Sequence, residues 1–533
     1  MAENPDASPP LYRLTTYDTL VFDVEACLLL LRSPRLSTFP YFMLVAVEAG
    51  GFLRGLLLLL AYPLILCLPS GRGTMRTKAM VLVSFFGLRE KEVARVCRAV
   101  LPKFFLEVAA MEGLELVRTA ARRMKAKRVV AVCSGFPSVM IEAFIRDHLC
   151  IDAKAVLGCE VMNVVGGRYV GMAIGRSTSS PGMCLSGKLT KEAGSQHAPS
   201  GTVCLVGEDS RMHRLLPCCC QVSSIVQVHQ ITNSEKAAWR SLPREKYPKP
   251  LVFHDGRLAF LPTPSAAVAM YTFLPLGITL AVVRSAIFKL FPYSVALPLS
   301  ALTGMRSRLV VDQESPSPLP PPGTVPVGVE EHATRGRRLF ACNHRTLIDP
   351  IAISCCQNRP VMAVTYGLSR FSELISPVRT ARLTRDRDED HRRMAALLAR
   401  GDLVVCPEGT TCREPYLLRF SPLFAGLADE VTPVALDTHV DMFYGTSTKP
   451  SAKWLDAIYF LMNAWPEYRV EVLEPVLTTP VVDGGGAGGD GHRIDVANRV
   501  QRVIGEALGY ELTRLTRKDK YNMMAGEGES DTI

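Results

Sequence analysis

The chain reads as α/β in both halves, with mostly parallel sheets, and carries apolar segments suited to a membrane. Three observations predict this. Short apolar runs at 129–132, 203–206, 339–341, 403–406 and 433–436 each stop at turn residues, as buried strands do. Helical patterns at 90–124, 137–149, 390–400 and 493–512 separate several of them, and strands alternating with helices give parallel sheets with helices on their faces. Two longer apolar stretches fit neither pattern.

In chain order, Thr19-Leu20-Val21-Phe22 forms a strand that ends in the acidic turn Asp23-Val24-Glu25. Phe52 to Leu68 is apolar except for Arg54 and is interrupted by Pro63; its length is at the short end for crossing a hydrocarbon core of ~30 Å. Val129 to Val132 runs into Cys133-Ser134-Gly135. Residues 176–201 are rich in Ser, Gly and Pro and read as a loop. The second apolar stretch runs from Ala266 to Val283 and on to Leu302, and Pro275, Pro292 and Pro298 are expected to break or kink it. Glu314 to Gly328 is a proline-rich linker, and Gly484 to Gly491 a flexible glycine-rich loop. The predicted organisation is a front α/β domain over 15–245 that includes the apolar segment 52–68, a membrane-associated helical segment over 262–304, and a second α/β domain over 305–522.

Composition agrees with attachment to lipid. Of 533 residues 48% are hydrophobic, and mean hydropathy is +0.16. Residues 1–20 carry acids and prolines without an apolar core, unlike a signal peptide. The formal charge of +10 suits anionic headgroups and a polyanionic substrate. Nucleic acid is excluded as a partner, because the arginines are dispersed without interleaved aromatics or finger spacing. The 16 cysteines include contiguous groups, Cys218 to Cys220 and Cys355-Cys356, and no CxxC pair; they read as reduced thiols facing the cytosol.

The chemistry lies in the back half. Asn343-His344-Arg345-Thr346-Leu347-Ile348-Asp349-Pro350 places a His and an Asp five positions apart after the run Leu339-Phe340-Ala341. A strand ending in a turn brings both side chains to one spot. There Asp349 accepts the proton on one imidazole nitrogen and leaves the other as a base, which is what acyl transfer to a hydroxyl requires. Downstream come Arg379-Thr380-Ala381-Arg382-Leu383-Thr384-Arg385-Asp386-Arg387, then Cys406-Pro407-Glu408-Gly409-Thr410-Thr411-Cys412-Arg413-Glu414, then Pro433-Val434-Ala435-Leu436. A planar guanidinium suits a phosphate better than an ammonium. Gly409 permits close backbone approach to a substrate. Glu408 either binds acceptor hydroxyls or braces its loop.

In order and spacing these blocks resemble those of the glycerol-phosphate acyltransferase superfamily. The Ala381 to Arg387 run, Pro250 to Phe260 and the tail Leu515 to Tyr521 resemble land-plant glycerol-3-phosphate acyltransferases of the cutin and suberin class, over about residues 20 to 522. The resemblance implies a PlsC-like domain, acyl-CoA and glycerol 3-phosphate as substrates, sn-2 direction, and no metal or organic cofactor. It implies the endoplasmic reticulum membrane as location, with membrane lipids around the chain and the site on the cytosolic side. It makes His344 the base, Asp349 its orienter and Arg387 the phosphate contact, with Arg379, Arg382 and Arg385 candidates for the same pocket. Many relatives carry arginine where this chain has Thr411, and Arg413 is the candidate substitute. Pro433 is expected to shape the acyl groove.

The front half resembles a haloacid-dehalogenase-type phosphatase with altered residues. Asp23 stands at the nucleophile, but Glu25 replaces the acid/base Asp, and Ala26-Cys27 replaces Gly-Thr. One extra methylene displaces a proton donor by about 1 Å, which can cost about 100-fold. Ser134, Lys188 and Asp209 stand at the remaining positions, and the later acidic partner falls at His213, a poor Mg2+ ligand. The domain is therefore expected to be phosphatase-inactive. The rivals are acylation of a lysophospholipid, residual phosphatase activity giving 2-monoacylglycerol, a Mg2+-dependent phosphohydrolase, and a non-catalytic scaffold.

Overall fold

The computed structural model describes residues 17–31, 38–68, 74–159, 162–172, 201–208, 226–310, 337–366, 378–447, 450–478 and 490–525. Lys188, Asp209, His213 and the linker 314–328 lie outside them. The chain divides into two compact units. One holds 1–251 with 261–268; the other holds 252–260 with 269–533. The long apolar stretch thus goes mostly with the second unit, and so does the short segment 252–260.

In the first unit β1 (Thr19–Asp23), β2 (Arg128–Val132), β3 (Ala155–Leu157), β6 (Thr202–Gly207) and β7 (Val226–Ile231) form a sheet in the order β3-β2-β1-β6-β7. All its pairs are parallel. β4 (Met162–Val165) and β5 (Arg168–Met172) form a separate hairpin. Leu20, Val21 and Phe22 are fully buried, as are Cys204 and Val206 of β6, so these strands read as continuous apolar runs. The chain leaves β1 toward β2 and β3, then returns to β6 on the other side. In open α/β sheets such a reversal marks the carboxyl ends of the strands, here β1, β2 and β6, as the usual place for a ligand.

The second unit is built on β8 (Arg306–Val310), β9 (Leu339–Cys342), β10 (Met362–Thr365), β11 (Arg379–Arg382), β12 (Leu403–Val405), β14 (Glu430–His439), β15 (Glu467–Val472) and β16 (Val476–Leu477). The order is β11-β10-β12-β9-β14-β15-β8, with β16 beside β14. β14–β15 and β14–β16 are antiparallel and the other pairs parallel. β13 (Tyr416–Leu417) and β17 (Glu511–Leu512) make a separate two-stranded ladder. β17 ends the region over which a single helix is expected: the helix runs Asp490–Leu508 and stops before Gly509, whose φ is +66°, a left-handed turn that glycine adopts at little cost. Strand β9 is central, fully buried and flanked by β12 and β14. It delivers the residues that follow it into the heart of the unit.

The first apolar stretch is the helix Phe52–Cys67. Its Leu53, Leu57, Leu60 and Leu64 are exposed and lie on one helical stripe. The second is a single helix, Pro264–Leu290, with Pro275 inside it. The break comes at Pro292, before the helix Tyr293–Leu302, which keeps Pro298 in its interior. Among the described residues Pro264–Leu290 is the one helix long and apolar enough to cross a membrane, with 22% of its most apolar window buried. Arg284 is 0% exposed. Its guanidinium donates to the carbonyls of Thr303, Leu461, Asn463 and Ala464, which secures the helix to the second unit.

Candidate active site

The site begins where β9 ends. Asn343 spends its whole amide on the next strand: Nδ2 donates to Leu436 O and Oδ1 accepts from Leu436 N, each at 2.8 Å. This fixes the direction in which the chain leaves β9. His344 follows, and its N–H donates to Glu408 Oε1 at 3.2 Å. Its Nδ1 lies 2.8 Å from Asp349 Oδ2. Asp349 is 0% exposed. It also accepts from Arg345 N at 2.7 Å, Thr346 N at 2.9 Å, Thr346 Oγ1 at 3.2 Å and Tyr468 OH. An acceptor so surrounded is a carboxylate, so Nδ1 carries the proton and Nε2 is the basic nitrogen. Asp349 also opens the helix Asp349–Gln357, with Pro350 in its first turn. Negative charge there is favoured by the helix dipole, and proline loses no hydrogen bond.

The third block wraps this turn. Cys412 N donates to His344 O at 2.9 Å, and Arg345 Nη1 donates to Cys412 O at 2.7 Å and Glu414 O at 3.1 Å. Gly409 has φ +67°, a conformation that costs glycine little. Glu408 is buried beneath the loop, and burial pushes its carboxyl up to about 8. The geometry makes Glu408 a brace for the His344 backbone. Outside the loop, Val252 O accepts from Cys412 Sγ at 3.5 Å, and Lys520 Nζ donates to Thr411 O at 2.5 Å. Arg413 bonds to Thr446, lies 3.7 Å from Asp255 and stacks over Tyr444.

His344 lines a pocket of about 220 Å³ together with Cys406, Gly409, Thr410, Lys453 and Arg517. An adjoining apolar cavity of about 120 Å³ is lined by Phe288, Leu297, Met305, Ile351 and Leu461. The two share Leu347, Pro350, Ala363 and Thr380. Of the second-block arginines, Arg379 and Arg382 lie on the edge strand β11, Arg385 has φ +74°, and Arg387 opens the helix Arg387–Leu398. All four are exposed. None lines the pocket, although Thr380 and Leu383 between them do. Arg413 and Pro433 line neither cavity; Pro433 sits opposite Ala341 in the β14–β9 ladder. Sequence reasoning missed Lys453, Arg517, Tyr468 and Cys406. Arg517 carried a signal, as part of the tail that resembles plant relatives, and Cys406 opens the third block; Lys453 and Tyr468 carried none.

Charge in the pocket is shared. Burial pulls the His344 imidazolium down, but Cys406 and the Asp349 carboxylate outweigh it and hold its pKa well above the ordinary value. The Cys406 thiol is drawn below its ordinary value by hydrogen bonding with Cys342 and by the charge of His344.

In the front unit, Asp23 Oδ1 accepts from Glu25 N at 2.9 Å and Ala26 N at 3.2 Å, capping the short helix Val24–Cys27. Ser134 Oγ donates to Glu25 Oε2 at 2.6 Å. A Cβ on Gly135 would lie 2.1 Å from Glu25 Oε1, so the Glu25 carboxylate rests directly on the Ser134-Gly135 turn. Lys236 Nζ donates to Glu25 O at 2.6 Å.

Comparison with known proteins agrees with these two architectures. Residues 19–226 match the model of the glycerol-3-phosphate acyltransferase RAM2-like, HAD-like domain, and residues 325–439 match the acyltransferase domain. The chain is 42% identical to probable glycerol-3-phosphate acyltransferase 2 of Arabidopsis thaliana, over 97% of this chain and 90% of that protein. It is 40% identical to glycerol-3-phosphate acyltransferase 1 of the same plant, over 96% and 81%. With glycerol-3-phosphate acyltransferase RAM2 of Petunia hybrida it shares 36% identity over 92% and 94%. A haloacid-dehalogenase-like front half, an acyltransferase back half and this similarity along nearly the whole chain make the protein an enzyme of the plant glycerol-3-phosphate acyltransferase family.

Proposed function

We propose that the chain moves the acyl group of acyl-CoA onto the sn-2 hydroxyl of glycerol 3-phosphate, giving a lysophosphatidic acid for extracellular polyester such as cutin or suberin. The observation that carries the mechanism is the 2.8 Å contact of His344 Nδ1 with Asp349, inside a pocket open to a substrate. His344 Nε2 takes the hydroxyl proton as the oxygen attacks the thioester carbonyl. The tetrahedral intermediate collapses with loss of the CoA thiolate, which the imidazolium protonates. A thiolate leaves readily, so the transfer needs no covalent enzyme intermediate.

Lys453 and Arg517 give the pocket a cationic wall for the acceptor's phosphate. Arg379, Arg382, Arg385 and Arg387 are exposed beside it and supply a basic approach. The adjoining apolar cavity takes the first part of the acyl chain. Helix Pro264–Leu290 and the exposed leucine stripe of Phe52–Cys67 hold the enzyme at the endoplasmic reticulum membrane, with the site on the cytosolic side.

The front unit is proposed to be inactive as a phosphatase, because Glu25 engages the Ser134 hydroxyl needed for a substrate phosphate. The test supplies membranes carrying wild type or His344→Ala with labelled glycerol 3-phosphate and a hydroxyacyl-CoA, and resolves products by position and phosphate content. A phosphorylated 2-acyl product that disappears in the variant is expected. Phosphate-free monoacylglycerol would refute the inactive front unit, and full transfer by His344→Ala would refute the mechanism.

A further inference from the structure

Cys342 closes β9 and Cys406 follows β12, and the two strands run side by side with Ala341 opposite Val405. One step further along this register the two cysteines face each other, and their sulfurs stand 3.6 Å apart. Cα atoms on neighbouring strands fall within the separation a disulfide needs, roughly 4.4–6.8 Å. Their exposure differs in a useful way. Cys406 lines the substrate pocket, whereas Cys342 is 0% exposed behind it. A small oxidant in the pocket therefore meets Cys406 first, with a second thiol already in contact.

We propose that Cys342 and Cys406 are an oxidation site that a hydroperoxide converts to a disulfide, reversibly switching off acyl transfer. The Cys406 sulfur attacks the peroxide oxygen; the O–O bond breaks, leaving Cys406 as a sulfenic acid and releasing water from hydrogen peroxide or an alcohol from an organic hydroperoxide. The Cys342 sulfur then attacks the Cys406 sulfur, the S–O bond breaks, and water leaves. Overall two thiols and one hydrogen peroxide give one disulfide and two waters. Cys406 suits the first step because its thiol is drawn toward the nucleophilic thiolate form by Cys342 and His344. Burial instead drives the thiols of Cys27, Cys97, Cys133, Cys355 and Cys412 upward.

The effect on activity follows from what Cys406 is joined to. It leads into Pro407-Glu408-Gly409, and Glu408 holds the His344 backbone. Closing the sulfurs from 3.6 Å to a bond of about 2 Å draws this segment toward β9. Displacements near 1 Å at a reacting centre cost up to about 100-fold. This consequence rests on His344 as the base; formation of the disulfide does not.

The experiment treats the full-length protein in membranes with hydrogen peroxide, quenches with catalase, and reads both transfer and tryptic peptides. Oxidised wild type is expected to lose at least about tenfold in rate and to recover with dithiothreitol. The peptide Leu339–Arg345 should appear linked to Gly401–Arg413, which also distinguishes this bond from one between Cys406 and Cys412 within a single peptide. Cys342→Ser cannot form the bond; its Cys406 sulfenic acid, without a resolving thiol, proceeds to irreversible sulfinic acid, and that anion beside His344 in the pocket should inactivate the variant by a different route, without recovery in dithiothreitol. Absence of the linked peptide, a linked peptide at full activity, or recovery of Cys342→Ser would each overturn the proposal. Because the link is read by mass, its outcome is separate from that of His344→Ala.

Discussion

Asp23 and Asp349 are both buried carboxylates at the start of a helix near the end of a strand, yet their surroundings put them to different use. Asp349 gathers two backbone N–H groups, two hydroxyls and one imidazole. The first four hold the carboxylate still, so that the fifth directs His344. Asp23 caps its own helix, and the neighbouring Glu25 turns onto Ser134 and Gly135. A carboxylate becomes chemically useful when its supporting bonds come from groups other than those the reaction needs. On the proposed reading the back unit meets that condition, whereas in the front unit the Ser134 hydroxyl is bonded to Glu25.

The comparison is tested most severely by His344→Ala, which should lower kcat/KM for acyl transfer by about 1,000-fold. A labelled-acceptor assay with saturating acyl-CoA checks this. Asp349→Asn keeps the shape but removes the charge and disturbs the tautomer, and about 100-fold is expected. Rescue by imidazole in His344→Ala but not in Asp349→Asn would separate the two roles.

A finer test concerns pH. In the proposed role of base His344 must be neutral to act, and its pKa is raised with Cys406 among the causes. Activity should therefore rise with pH along a limb above that of ordinary histidine. Cys406→Ser should move the limb toward lower pH, and an unmoved pH–rate profile would count against the pairing of these groups.

Glu408 gives a smaller, structural effect. Its folded pKa of about 8 lies above the ordinary carboxyl value of 4.5, so the native state binds more protons in between. Its stabilising contribution is complete below the unfolded pKa and disappears as pH rises through about 8. Glu408→Gln should flatten the fall of Tm between those limits by a few degrees, measured by differential scanning fluorimetry. The smallest effect is expected from Glu25→Asp. Shortening the side chain releases Ser134 but leaves His213 where the phosphatase resemblance expects an acid, so Mg2+-dependent hydrolysis of p-nitrophenyl phosphate should stay at background. Measurable turnover would erase the contrast between the two units.

The sequence by itself determined the strands that enter both sites, because a buried strand is a short apolar run and needs no partner to be recognised. It also determined the His344–Asp349 pair, since five residues across one turn bring the two together wherever the turn is placed. Of the three prolines expected to break or kink the second apolar stretch, Pro292 does interrupt it, whereas Pro275 and Pro298 lie inside continuous helices. Only tertiary structure decided why Asn343 precedes the pair, because its partner is Leu436 on another strand. The same holds for Tyr468 on Asp349, for Lys453 and Arg517 in the pocket wall, and for the 252–260 segment and Lys520 behind the loop. Arg413, a phosphate candidate by its position, instead has its guanidinium among Thr446, Asp255 and Tyr444. The physical reason is range. Periodicity and turn chemistry are set by neighbours in the chain, whereas a pocket wall or a support for a catalytic residue is assembled from distant segments that only the packed sheet brings into register.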